Sequence, residues 1–163
     1  MQMGMQIANG DDKFLRFKIN KKGLKVLYVD TEIGRNLMHE RFQQIAKNLF
    51  WTGSDNFTMI SKDESQDDIW ANLFEVYKEL QPDLIIIDCL YNSTQENDFS
   101  KSLNMAKITG NLSKLKTRTK ATIFAVHHFV KGQQEKGLCK DRMSGASTLQ
   151  NWGDLYILRV APE

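Results

Sequence analysis

Continuous apolar runs alternate along this chain with stretches in which apolar residues return every three or four positions. The first kind comprises KVLYVD at 25–30, FTMI at 57–60, LIIID at 84–88, ATIFAV at 121–126 and LYILRV at 155–160, each read as a strand. The second kind predicts helices over 37–49 (Leu37, Met38, Phe42, Ile45, Leu49) and 69–80 (Ile69, Leu73, Val76, Leu80). It also predicts one over about 100–117, with Leu103, Ile108, Leu112 and Leu115 apolar. A further helix over 1–8 is closed by Asn9-Gly10, a pair suited to a left-handed C-cap, and a polar loop follows it. Strands that are apolar throughout, with no polar alternation, need cover on both faces. Alternation of such strands with helices predicts a parallel sheet in an α/β domain. With 163 residues, two prolines, no repeat and no low-complexity tract, nothing marks a linker, and one domain is expected.

In parallel sheets ligands gather beyond the C-terminal ends of the strands. Here those ends are polar in a concerted way. The first strand runs into Asp30-Thr31-Glu32, the third into Asp88 and the fourth into His127-His128, with Lys131, Lys140 and Arg142 in the loop beyond. Carboxylates at neighbouring strand tips suit a nucleotide with Mg²⁺, which takes one or two carboxylates plus phosphates and water. A second carboxylate can polarise an attacking water, and cations can neutralise transition-state charge. Each feature also has a plainer reading. Asp88 can start a turn, and the 30–32 carboxylates can complement a helix dipole. The histidines can be one core and one surface residue, and Lys140 and Arg142 can be solvated loop charges. Placement at successive strand ends is what favours function.

Composition narrows the class without choosing a partner. Lys plus Arg number 22 against 20 Asp plus Glu, a net +2 that neither demands nor excludes nucleic acid. Cys89 and Cys139 show no metal-finger spacing, which fits a reducing cytoplasm, and no apolar run is long enough to cross a bilayer. Lys101, Lys107, Lys114, Lys116, Arg118 and Lys120 offer a basic helix end that can meet DNA phosphates or simply be solvated. Trp51, Trp70 and Trp152 read as core or interface residues.

KVLYVDTEIGRNLMHERFQQI, PDLIIIDCLYNST and ATIFAVHHFVKG, followed by DRMSGASTLQNWGDLYILRV, together resemble RecA-like P-loop ATPases. The branch they look most like is the RepA-type hexameric helicases of plasmid replication and mobile elements. The resemblance spans almost the whole chain. It implies a RecA-like parallel sheet flanked by helices, ATP and Mg²⁺ as cofactors, single-stranded DNA as partner, and a homo-oligomeric ring. By position, Glu32 is similar to the water-activating glutamate and Asp88 to the Walker B aspartate acting on Mg²⁺. His127 and His128 fall where the family places a sensor of γ-phosphate or DNA. Lys140-Asp141-Arg142 looks like a finger reaching a neighbouring subunit's phosphate, a role Lys131 can share. The chain departs from the family's Arg-Gly-Ser-Ser before the last helix, reading Ser144-Gly145-Ala146-Ser147.

A larger departure concerns phosphate. The grip loop G-x-x-x-x-G-K-[ST] surrounds the β- and γ-phosphates with backbone N–H groups and a lysine, and no such sequence occurs in the 163 residues. Residues 1–17 resemble the helix after that loop. The expectation is therefore an N-terminally truncated P-loop fold that binds ATP weakly or not at all, and whose full-length protein is an ATPase. Strand 155–160 is expected to pair with 121–126, or a partner chain to fill the vacated slot. Two rivals remain: a non-hydrolysing assembly or DNA-binding partner, and an unrelated metal-dependent hydrolase using Asp30, Glu32, Asp88 and His127.

Overall fold

The computed structural model describes residues 1–62, 69–90, 93, 102–128 and 146–157, the side chains of 102–104 and 146–147 excepted. Helix α1 (Gln2–Asn9) opens the chain. It ends where Asn9-Gly10 predicted, because Gly10 turns left-handed at φ 79° without a Cβ to oppose it. The amides of Gly10 and Asp11 then donate back to the carbonyls of Ile7 and Gln6, at 3.1 and 3.0 Å. The polar loop expected next contains a small antiparallel hairpin, β1 (Lys13–Phe14) with β2 (Phe17–Lys18). Two-residue strands with one partly covered side chain carry no apolar run, so periodicity had no signal there.

The main elements follow in the predicted order: β3 (Val26–Asp30), α2 (Gly34–Asn48), β4 (Phe57–Ser61), α3 (Ile69–Leu80), β5 (Leu84–Asp88), α4 (Ser102–Arg118), β6 (Thr122–Ala125) and α5 (Ala146–Trp152). Strands β3 to β6 form a four-stranded parallel sheet in the order β4-β3-β5-β6. The α/β class with a RecA-like parallel sheet flanked by helices is thus the observed one.

The period-2 alternation of side chains sends each strand's residues to two different cores. On one face Val26, Tyr28, Leu84 and Ile86 pack with Ala8 of α1 and Met38 of α2. On the other, Leu27, Val29, Ile85 and Ile87 meet Ile69, Trp70 and Leu73 of α3, Ile108, Leu112 and Leu115 of α4, and Leu149 of α5. Burying each such aliphatic side chain is worth about 1.5–3 kcal/mol, so this double cover is the main stabilising term. Helix α1 comes close to the sheet because Gly4 has no Cβ, which would otherwise sit 2.9 Å from Ile86 Cδ1 and 3.2 Å from Val26 Cγ1.

One expectation needs correcting. Residues 155–157 form no strand, and Leu155 and Ile157 are 80% and 68% exposed; 158–160 lie outside the described residues. The aromatic between them explains the turn-away. Tyr156 folds back, its hydroxyl donating to the carbonyls of Leu149 and Gln150 at 2.7 and 2.8 Å and accepting from the Gly153 amide. Among the described residues β6 pairs only with β5. Among those residues, too, no helix is long and apolar enough to cross a membrane.

Candidate functional site

Parallel register brings the strand tips together. Asp30 of β3 lies directly opposite Asp88 of β5, and β6 continues from Ala125, opposite Ile87, toward His127 and His128. Backbone bonds tie the tips to one another beyond the last paired residues. The Thr31 amide donates to the Asp88 carbonyl at 3.0 Å, and the Leu90 and Val126 amides donate to Val126 and Ile87 carbonyls at 2.9 Å each. The Thr31 hydroxyl adds a buried bond to the Cys89 carbonyl at 2.5 Å. The segment after β5 is therefore held from both sides.

The two aspartates do different things. Asp30, 2% exposed, turns its carboxylate to the start of α2 and accepts from the Ile33 and Gly34 amides at 3.3 and 2.9 Å. Those amides are among the helix donors with no intrahelical partner, so Asp30 caps α2, the plainer of its two readings. Burial holds its carboxyl above the ordinary aspartate range, with the Asp88 charge adding and the backbone amides opposing. Asp88 is half-buried and accepts from the Tyr28 hydroxyl at 2.5 Å. Burial, together with that bond and the carboxylate's charge, pushes the Tyr28 phenol far up, so it stays a donor. A half-buried carboxylate with lone pairs to spare suits Mg²⁺, which binds through few carboxylates and keeps much of its water.

Glu32 leaves the strand line and meets other chemistry. Its Oε2 lies 3.7 Å from Cys89 Sγ and 3.9 Å from His128 Nε2, with the glutamate and histidine side chains each about half exposed. His127 is partly covered and His128 exposed, so neither is a core residue. The N-terminal end of α1 also reaches this region. Burial pulls the Met1 amine below its ordinary value, while the Asp88 carboxylate acts to raise it.

Lys131, Lys140 and Arg142 lie outside the described residues. Within the predicted basic run, Lys116 bonds Asp154 at 2.9 Å and sits over the Trp152 ring, and Arg118 stacks on Phe74. Lys114 and Lys120 face solvent. The surface depression between α2 and β4, lined by Arg35, Met38, His39 and Met59, includes none of the strand-tip residues.

Sequence reasoning passed over Tyr28, Thr31 and Cys89. Tyr28 had a usable signal: it pairs with Ile86, two residues before Asp88, so period 2 puts its ring on the face that carries that carboxylate. A family model described as an AAA domain matches residues 1–134. No curated protein matches the chain.

Proposed function

The chain belongs to the AAA domain family, and on that premise we propose that residues 1–163 form one ATPase core of a helicase-type DNA motor. An ATPase-type P-loop domain using nucleotide and Mg²⁺ is what the family brings; the residue roles and the DNA substrate are our reading. The observation that carries it is the placement of Glu32, Asp88 and His128 at three adjacent strand tips, with Glu32 and His128 3.9 Å apart.

In this reading Asp88 would hold Mg²⁺, whose charge would be available to neutralise bound phosphates. Tyr28 fixes the Asp88 carboxylate by donating to one of its oxygens, which orients it without competing for the proton. Glu32 takes a proton from the attacking water, the step a general base contributes about 10²- to 10⁴-fold to. His128, beside Glu32, and His127 next to it sense the γ-phosphate or bound DNA. Lys140 or Arg142, with Lys131, supplies positive charge to a neighbouring copy's nucleotide in a homo-oligomeric ring. Single-stranded DNA is the substrate, met in part by the exposed Lys114 and Lys120.

Phosphate affinity is the weak point of this polypeptide. With no G-x-x-x-x-G-K-[ST] in its 163 residues, it lacks the amide nest and lysine that supply most phosphate-binding energy. Calorimetric titration with ATP and Mg²⁺ is expected to give about millimolar affinity or weaker. Micromolar binding would overturn that part. Mg²⁺-dependent hydrolysis, measured at saturating ATP with a G-x-x-x-x-G-K-[ST] loop joined ahead of residue 1, tests the rest: Glu32→Gln and Asp88→Asn each abolish it, and activity unchanged in both variants would sink the assignment.

A further inference from the structure

Cys89 is a buried, reduced cysteine whose thiol no step above employs, yet it sits at the centre of the strand tips. Together with Glu32 and His128 it forms a three-donor group: one carboxylate oxygen, one thiol sulfur and one imidazole nitrogen, all within 4.8 Å of one another. We infer that these three side chains bind a zinc-class transition-metal ion, and that the bound ion takes Glu32 out of use.

Four observations argue for this. First, each donor comes from a different strand tip, Glu32 after β3, Cys89 after β5 and His128 after β6, and the tips are tied together by the Thr31, Leu90 and Val126 bonds. The arrangement is therefore built before any ion arrives. Second, the spacings are close to what coordination needs. Tetrahedral zinc with bonds of about 2.0–2.3 Å puts neighbouring donors roughly 3.3–3.6 Å apart. The observed 3.7 and 3.9 Å, with all three donors within 4.8 Å, lie near that spacing, and the half-exposed Glu32 and His128 side chains have room to adjust. Third, a thiolate and a carboxylate balance the charge of a divalent ion, and the neutral imidazole completes three protein donors. The thiol proton leaves to solvent as the Zn–S bond forms. Fourth, the exposed sides of Glu32 and His128 leave a fourth position open to water, the three-plus-one pattern of accessible zinc sites.

The donor set also discriminates. Sulfur and nitrogen select zinc over Mg²⁺, whose hard-oxygen preference is met by Asp88 instead. Two ions therefore compete for function without competing for ligands. Metal binding stands on geometry alone, whereas the inhibition rests on the reading of Glu32 as the base.

The test is titration of the 163-residue chain with Zn²⁺ and, separately, Co²⁺, in the absence of nucleotide. One equivalent per chain is expected, with a near-ultraviolet thiolate-to-cobalt charge-transfer band. His128→Ala, at an exposed position, weakens binding by at least about 10-fold, the scale of losing even a supporting contact at a metal. Cys89→Ser removes the band, and Cys139→Ser keeps it. Circular dichroism checks that each variant is folded. Failure of the unaltered chain to bind one equivalent, a band that survives Cys89→Ser or disappears in Cys139→Ser, or unchanged affinity in His128→Ala would each overturn the site. Zinc bound with hydrolysis untouched supports the site and counts against Glu32 as the base.

Discussion

Asp30 and Asp88 stand opposite each other at the ends of adjacent parallel strands, each the last residue of an apolar run. Their surroundings then part. Asp30 is sealed beneath the start of α2 and spends its oxygens on two backbone amides, whereas Asp88 is half-open and meets one phenol. The same residue at the same register thus builds a helix in one place and presents a charge in the other. What separates them is what their carboxylates meet. α2 begins four residues after Asp30, close enough to be capped by it, while the Asp88 carboxylate turns to the Tyr28 phenol.

Exchanging the roles by mutation is the strongest way to break this contrast. Asp88→Ala is expected to lower Mg²⁺-dependent ATP turnover by about 10²-fold or more, as loss of a key electrostatic group does, with little change in the urea midpoint. Asp30→Ala should do the reverse. Equal effects of the two on turnover and stability would erase the distinction. Next in size is Gly4→Val, which forces side-chain carbons against Ile86 and Val26 and pushes α1 away from the sheet. Overpacking of this kind costs about 1–3 kcal/mol, read by urea unfolding. Asp30→Ala itself should cost about 1–2 kcal/mol through the lost cap, while Asp30→Asn, which keeps an acceptor, recovers most of it. Tyr28→Phe removes one donor from Asp88 and should cost about 1 kcal/mol, with a raised Mg²⁺ requirement for hydrolysis as the sign of a loosened carboxylate.

The contrast also measures what a sequence can carry. LIIID and KVLYVD are apolar without alternation, and that alone implies cover on two faces, a parallel sheet and functional tips; β5 and α3 appear with the bounds predicted. Their ends look alike because capping depends on where the next helix starts in space, which apolar spacing does not encode. The Glu32–Cys89–His128 group was hidden for the same reason: its members lie on three separate strands, and only register makes them neighbours. LYILRV misled in the opposite direction. Its apolar run satisfied the strand pattern, yet Tyr156 found three partners in the turn after α5, and those local bonds prevailed over pairing with β6 at residues 155–157.

The smallest effect isolates Asp30 by pH. Its folded-state pKa is raised, chiefly by burial, above the ordinary value of about 3.9 that it regains on unfolding. Between those two values the folded protein holds more protons than the unfolded chain, so stability falls as pH rises through the window. The contribution is fully present below about 3.9 and is lost once pH passes the folded pKa. Asn at position 30 cannot titrate. Urea unfolding of the two proteins in parallel should therefore show the unaltered chain gaining on Asp30→Asn as pH drops from 7 toward 4. Groups common to both, including the exposed Asp12–Lys22 pair that acts with the opposite sign, cancel in the difference. A difference between Asp30→Asn and the unaltered chain that stays flat across this range would mean that Asp30 is no more enclosed than its neighbour, and the two strand tips would be equivalent after all.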